Sequence, residues 1–220
     1  MCVNYRPTGK NDLEQFFKAK VPDGLEWRGE TWKDYDAPIL LADEVGGRRV
    51  ALAGYGIVPR RHIQEGVKVF DTMNARAETV GEKRSFSPAW KKSQLCLVPM
   101  TGFFEPCYES GKPIRWEIGM ADSAPFAVAG LWREWTENDG SKSLAFTQLT
   151  VNADDHPLMR RFHKPGDEKR ALVVVPVDEF DTWLNCRDSE FARSFLTLYP
   201  AEKMMSREAP VPPRKQKSAV

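Results

Sequence analysis

The chain has 220 residues, of which 41% are hydrophobic and 29% are charged, and its formal net charge at pH 7 is +1. This composition is typical of an ordinary globular protein and excludes a strongly basic one, so any surface for nucleic acid must be local. The four cysteines and three histidines show no zinc spacing, so we expect a reduced protein without metal or cofactor. We see neither a signal peptide nor a run of about 18 apolar residues, and therefore expect a cytoplasmic protein that does not enter membranes.

Met1 is followed directly by Cys2. Removal of the methionine would leave a cysteine with a free α-amine and a thiol on adjacent carbons, a group that condenses with an aldehyde to form a thiazolidine ring. The ordinary pKa values are roughly 7.7–8.0 for the amine and about 8.5 for the thiol, so both are partly nucleophilic near neutrality. The alternative is that Cys2 is incidental and lies in a frayed terminus.

The pattern of hydrophobic residues predicts short helices at both ends of a mostly antiparallel sheet. Asn11 and Glu14 resemble a capping box, and Asp139-Gly140 is a typical hairpin turn. Strands are predicted over residues 48–58, 95–98, 114–120, 126–135, 144–151 and 171–175, and C-terminal helices over 180–184 and 190–198. We therefore predict one α+β domain over residues 1–202, followed by a disordered tail rich in Pro, Lys and Arg over residues 203–220.

Several polar residues lie where secondary-structure propensity does not explain them. Asn74 begins the segment Asn-Ala-Arg-Ala-Glu-Thr, and His163 follows a basic stretch. Glu105 directly follows Phe103 and Phe104, so we expect a partly desolvated carboxyl group, which favours its protonated form. These residue types can move protons at a shared substrate.

These segments together resemble one known family. The chain begins Met-Cys and continues with Gly-Ile-Val-Pro (56–59), Asn-Ala-Arg-Ala-Glu-Thr (74–79), Leu-Val-Pro-Met-Thr-Gly-Phe-Phe-Glu (97–105), Ala-Gly-Leu-Trp (129–132) and Thr-Val-Asn-Ala (150–153). This order is similar to that of the SOS-response-associated peptidase (SRAP) family of abasic-site processing proteins. The resemblance spans roughly residues 1–200 and implies an SRAP domain with a barrel-like β core.

The resemblance also implies a role for each motif residue. Cys2 would capture the ring-opened aldehyde of an abasic site in single-stranded DNA as a thiazolidine, after the protein has removed its own Met1. Asn74 would position the terminal residue, Glu105 would open the deoxyribose hemiacetal, and His163 would assist this proton transfer. Arg76 would hold a DNA phosphate. An abasic-site lyase step, by β-elimination from a Schiff base, would be a side reaction.

Paired cations near these motifs suggest where the DNA backbone would lie. We assign Arg60, Arg160 and Arg161 to a groove for single-stranded DNA, because they flank the motif residues. We expect a monomer that is associated with the nucleoid when it acts on DNA. Solvated charge runs are the alternative explanation of such pairs.

The chain departs from the family pattern at several positions. Val3 and Asn4 follow Cys2 where the family commonly has Gly-Arg, so one DNA contact of the family is missing there. Tyr55 stands where the family often has tryptophan, and residues 164–169 intervene after the histidine. His163 is favoured over His156 as the family histidine because the expected strand resumes at residue 170.

Plainer interpretations of the same residues remain open at this point. Glu105 could be a surface carboxylate in a turn, Asn74 a turn residue, and His163 a solvent-exposed loop histidine. Arg76 could form an exposed ion pair with Glu78. Two other functions are also open: a thiol peptidase that uses Cys2 and His163 on polypeptides, and a non-covalent module that binds single-stranded or modified DNA.

Overall fold

The computed structural model describes residues 2–44 and 46–210. In this part of the chain eleven strands form one sheet. The strands are β1 (Tyr5–Pro7), β2 (Asp36–Ala42), β3 (Arg48–Tyr55), β4 (Asn74–Arg76), β5 (Leu95–Cys107), β6 (Ile114–Met120), β7 (Phe126–Thr136), β8 (Lys142–Asn152), β9 (Arg170–Leu172), β10 (Val174–Val175) and β11 (Met204–Glu208). The helices are α1 (Lys10–Gln15), α2 (Ser87–Lys91), α3 (Phe180–Asn185) and α4 (Ser189–Arg193), with 3-10 turns at Arg60–His62, Met159–Arg161, Val177–Glu179 and Ala201–Lys203.

Five of the strands close into a barrel. β2 pairs with both β3 and β5, β5 pairs with β7, and β7 pairs with β8. A parallel pairing between β3 and β8 completes the ring. The other strands extend it: β1 and β6 pair with β5, β11 with β6, β4 and β9 with β8, and β10 with β7. The predicted α+β fold with a barrel-like, mostly antiparallel core is therefore confirmed.

The two faces of the strands contribute to different hydrophobic clusters. Along β5, Leu95 and Leu97 pack with Trp90 and Trp183 of the helices, in one cluster. Cys96 belongs to the other cluster, which also contains Cys2, Tyr55 and Phe146. This alternation follows from the period of two in a strand. It places the second residue of the chain in a packed core.

The hairpin between β7 and β8 forms as predicted, with Gly140 at a φ of +84°. β5 differs from the prediction, because it continues through Pro99 to Cys107. Proline removes a hydrogen-bond donor but keeps its carbonyl, and the Pro99 carbonyl accepts a bond from the backbone N–H of Thr8 at 3.3 Å. Glu105 therefore lies within a strand, and the turn interpretation of this residue is wrong.

The predicted start of the tail at residue 203 is wrong. Met204–Glu208 forms β11, which pairs with β6 from Met204 opposite Met120 to Glu208 opposite Trp116. Backbone pairing with a long neighbouring strand orders a segment whose composition alone predicts disorder. Residues 211–220 of the predicted tail lie outside the described residues. The second C-terminal helix is also shorter than predicted and ends at Arg193.

Candidate active site

Cys2 is held from two directions. Its side chain and backbone are 1% exposed, and its carbonyl accepts hydrogen bonds from Asn74 Nδ2 at 2.6 Å and from the Tyr55 hydroxyl at 3.0 Å. The segment that follows is paired with β5, since the backbone N–H of Phe104 donates to the Asn4 carbonyl at 3.0 Å. From Cys2 onwards the N-terminal segment is therefore not frayed.

The thiol of Cys2 is kept in its neutral form. Burial raises its pKa from 9.0 to about 12, and the nearby charge of Glu105 acts in the same direction. The sulfur donates a hydrogen bond to the Asn4 carbonyl at 3.3 Å. The thiol is consequently protonated at neutral pH in this state of the chain.

Asn74 reaches Cys2 because of an unusual strand pairing. β4 runs parallel to β8, with Asn74 opposite Gln148. The side chain is 8% exposed, and its Oδ1 has no hydrogen-bond partner among the described residues. An amide that donates to one buried carbonyl and keeps a free acceptor can still receive a bond from a substrate group.

Glu105 and His163 form a buried pair beside Cys2. Glu105 is 3% exposed, His163 is 7% exposed, and the closest approach is 3.3 Å between His163 Nε2 and Glu105 Oε2. That contact is an ion pair when the ring is charged, but it is not aligned as a hydrogen bond. A carboxyl and an imidazole so placed can pass a proton between them and a substrate.

The backbone explains why His163 is found there. Its N–H donates to the Pro106 carbonyl at 3.0 Å, and Phe162 forms a bridge with Cys107, so this segment is fastened to the end of β5. His163 has a φ of +66°, a left-handed conformation that is uncommon for a residue with a side chain. Such strain is frequent at functional sites, and the ring of His163 lies against Glu105.

The other candidate histidine has a purely structural environment. His156 Nδ1 accepts the backbone N–H groups of Leu158 at 3.2 Å and Met159 at 3.0 Å, and its Nε2 lies 2.8 Å from the Tyr199 carbonyl. These partners require the neutral ring with its proton on Nε2. His156 therefore organises a turn, and none of these partners is Cys2, Asn74, Glu105 or His163.

The four predicted DNA-binding arginines differ in how free their charges are. Arg76 pairs with Glu168 at 2.7 Å, not with Glu78 as in the alternative interpretation. Arg161 forms two hydrogen bonds of 2.9 Å with Glu109. Arg60 and Arg160 form no ion pair within residues 2–44 and 46–210.

Each residue of the buried pair lines a surface depression. One, of about 650 Å³, is lined by His163 together with Arg160, Arg161 and Glu109. The other, of about 230 Å³, is lined by Glu105 together with the exposed Trp32. The structure thus joins Cys2, Asn74, Glu105 and His163, and it places two of the predicted arginines beside them. Arg60 and Arg76 line neither depression.

Three further residues at this site were missed from the sequence. The Tyr55 hydroxyl and Gln148 Oε1 are hydrogen-bonded at 2.9 Å, next to Cys2. Arg115 of β6 donates to Asn4 Oδ1 at 2.6 Å and lines the smaller depression. Arg115 therefore brings a cation to the side chain of residue 4, where the family's own arginine is missing. The replacement of tryptophan by Tyr55 was a signal in the sequence, whereas Gln148 and Arg115 gave none.

The structure gives two negative findings for the part of the chain it describes. Across residues 2–44 and 46–210, His, Cys, Asp and Glu side chains nowhere gather in a group of three that could hold a metal ion. Within the same residues, every helix is too short or too polar to span a membrane.

Comparison with known proteins identifies the family of the chain. A family model described as SOS response associated peptidase (SRAP) matches residues 1–213. The abasic site processing protein YoaM of Bacillus subtilis (strain 168) is 27% identical over 204 residues, which are 88% of this chain and 81% of that protein. The abasic site processing protein YobE of the same organism is 27% identical over 169 residues, covering 76% of this chain and 73% of the relative.

Solved structures show the same fold. A protein from Bordetella bronchiseptica is 30% identical and superimposes with a TM-score of 0.86, covering 96% of this chain and all of its own (100%). A protein from Bacteroides thetaiotaomicron, 22% identical with a TM-score of 0.76 over 94% of this chain and 91% of its own, shares the fold. Since the family model covers almost the whole sequence, the chain belongs to the SOS response associated peptidase (SRAP) family.

Proposed function

We propose that this protein processes abasic sites in single-stranded DNA and captures the lesion covalently through Cys2 once Met1 has been removed. The observation that carries the proposal is the convergence of Cys2, Asn74, Glu105 and His163, which come from four separate segments and meet in one buried cluster. Glu105 and His163 of this cluster each line a surface depression. The names of the relatives YoaM and YobE, abasic site processing proteins, support the same substrate.

The first step is the opening of the sugar. An abasic deoxyribose is mostly a closed hemiacetal, so the aldehyde forms only when a proton leaves the C1 hydroxyl and another reaches the ring oxygen. Glu105 and His163 are 3.3 Å apart and nearly buried, so one can accept the first proton while the other supplies the second.

Covalent capture then follows in two additions. The free α-amine of Cys2 attacks the C1 aldehyde, and the resulting carbinolamine loses one water to give a Schiff base. The thiol adds to the same carbon, the sulfur–carbon bond closes the thiazolidine, and the thiol proton passes to the nitrogen, by way of Glu105 or directly. The net reaction joins aldehyde and aminothiol with release of one water.

The state of the thiol supports this order of events. In the chain that carries Met1, a pKa of about 12 keeps the sulfur protonated at neutral pH, which supports the amine as the nucleophile of the first addition. The same observation argues against a thiol peptidase, because such an enzyme needs a thiolate whose pKa is lowered by its surroundings.

The DNA backbone is proposed to follow the free cations around the cluster. Arg60 and Arg160 carry charges without ion-pair partners among the described residues, and Arg160 lines the depression beside His163. A lesion without a base offers no edge to read, so phosphate contacts should dominate and sequence preference should be weak. Self-removal of Met1, and β-elimination from the Schiff base as a side reaction, belong to the same proposal.

The test is a crosslinking assay. Single-stranded oligonucleotide is treated to excise a uracil, mixed with the protein, and analysed on a denaturing gel. Wild type should give a heat-stable, shifted band, Cys2→Ala should give none, and Glu105→Gln should form the band more slowly. Cys186→Ala is the matched control, because Cys186 is also buried but belongs to the other hydrophobic cluster.

A crosslink that survives in Cys2→Ala would refute the proposed chemistry. Salt-sensitive binding that is unchanged in Cys2→Ala and leaves no covalent product would instead identify a non-covalent DNA-binding module. Intact mass of the purified protein reports whether Met1 has been removed, which the mechanism requires.

A further inference from the structure

The hydroxyl of Tyr55 lies between two acceptors but carries one proton. It is 3.0 Å from the Cys2 carbonyl and 2.9 Å from Gln148 Oε1. One O–H cannot donate to both oxygens at these distances. One of the two partners must therefore donate to Tyr55, and a backbone carbonyl has no proton to give.

Gln148 resolves this conflict. Its Nε2 is buried and has no hydrogen-bond partner among the described residues. The oxygen and nitrogen of a side-chain amide are assigned from the surrounding hydrogen bonds, and exchanging them places the amide N–H next to the Tyr55 oxygen. Gln148 then donates to Tyr55, and Tyr55 is left to donate to Cys2. The exchanged amide leaves an oxygen without a partner, which costs less than a buried donor without one.

We propose that Tyr55, oriented by Gln148, is a positioning residue for Cys2 in covalent capture, a role that rests on the proposed function above. Together with Asn74, Tyr55 places two donors on one carbonyl, which fixes the peptide plane of Cys2. The Cys2 side chain is buried and its sulfur donates to the Asn4 carbonyl at 3.3 Å, which restricts rotation about the bond between the α-carbon and the carbonyl carbon. The α-amine is attached to the same α-carbon, so its direction of attack is restricted as well. The positive ends of both donors also disfavour an ammonium ion there, which leaves more of the amine in its nucleophilic form.

The surroundings of Tyr55 keep this donor in place. Its ring is fully buried, stacks on Phe146 with centroids 5.1 Å apart, and meets Tyr5 edge-on at 5.4 Å. Burial raises the pKa of the phenol well above its ordinary value of 10.0, so the hydroxyl remains a donor wherever the protein is folded. These contacts involve the ring and not the hydroxyl, so phenylalanine preserves them.

The test compares two buried tyrosines. Tyr55→Phe should form the crosslink about tenfold more slowly under single-turnover conditions, which corresponds to the loss of one hydrogen bond to the reacting residue. The acid limb of its pH–rate profile should move to higher pH. Its affinity for single-stranded DNA with a tetrahydrofuran abasic analogue, which has no aldehyde, should be unchanged. Tyr5→Phe removes a hydroxyl from the same aromatic cluster, and this hydroxyl forms no hydrogen bond to Cys2. This variant should crosslink at the wild-type rate.

The contribution of Gln148 is tested by a double-mutant cycle. Gln148→Leu should slow the crosslink less than Tyr55→Phe, and the double variant should be no slower than Tyr55→Phe, because Gln148 acts through the tyrosine. Additive losses would overturn the assigned role of Gln148. Wild-type protein that forms no crosslink would refute the proposed function. Wild type that crosslinks, with Tyr55→Phe at the same rate and the same pH profile, would overturn this inference alone.

Discussion

Replacing Glu109 with glutamine should strengthen DNA binding, because this carboxylate neutralises an arginine that lines the site. Arg161 donates two hydrogen bonds of 2.9 Å to Glu109, and the hydrogen-bonded guanidinium lowers the pKa of that carboxyl group. Glu109 therefore stays ionised at neutral pH and occupies the donors that would otherwise bind phosphate. Both side chains are partly exposed, 32% for Arg161 and 55% for Glu109, so the pair contributes little to stability.

The size of the effect follows from counterion release. One additional phosphate contact on single-stranded DNA steepens the dependence of log K on log salt concentration by about 0.7, which is about a fivefold gain in affinity at 0.1 M salt. Fluorescence anisotropy with the tetrahydrofuran analogue, measured over a salt series, gives both quantities for wild type and Glu109→Gln. Covalent capture does not contribute to the measured affinity, because the analogue has no aldehyde.

Two further variants make the result specific. Glu14→Gln changes the net charge equally at an exposed position of α1 and should leave the slope unchanged. Glu109→Gln combined with Arg161→Gln removes the released cation and should return the affinity to that of wild type. If Glu109→Gln has the wild-type slope, then Arg161 does not face the DNA and its assignment to the groove is wrong.

Three other predictions concern stability and the choice of histidine. A Cβ at Gly130 would lie 2.7 Å from the Thr147 carbonyl oxygen, so Gly130→Ala should lower the free energy of unfolding in urea by about 1–3 kcal/mol, and an unchanged midpoint would contradict this. The pKa of the Cys2 thiol is raised from an ordinary value of 9.0 to about 12 in the folded protein. The buried neutral thiol therefore makes its full contribution to stability below pH 9, and this contribution is lost as the pH rises toward 12. The free energy of unfolding should fall faster above pH 9 in wild type than in Cys2→Ala, by up to about 1.4 kcal/mol per pH unit, and equal slopes would refute the burial argument. His163→Ala should slow crosslinking and largely retain stability. His156→Ala should lose about 1–3 kcal/mol of stability and crosslink at the wild-type rate. The opposite pattern would reverse the roles of the two histidines.

Local patterns in the sequence were sufficient for much of the fold. The hairpin at Asp139-Gly140 and most of the strands follow from residue periodicity and turn chemistry, which act over a few neighbouring residues. The boundaries were less predictable. β5 continues past Pro99, where it pairs with the neighbouring β6 and also with β1 at the start of the chain. β11 forms in a segment that composition assigns to a tail, because its partner strand β6 lies far away in the sequence.

The sequence by itself determined the family, because motifs in a fixed order carry that information without any contact between them. From the same motifs it predicted Cys2, Asn74, Glu105 and His163 as the site residues. Only the tertiary structure decided how these residues meet. Closure of the barrel and the pairing of β4 with β8 set Asn74 and Tyr55 on the Cys2 carbonyl, and the bridge at Phe162 sets His163 beside Glu105. Side-chain hydrogen bonds and ion pairs join residues that are far apart in the sequence, such as Tyr55 and Gln148 (93 residues) and Arg48 and Asp181 (133 residues). Which of these long-range contacts form depends on the free energy of the whole packed molecule. A local pattern of residues does not contain that information.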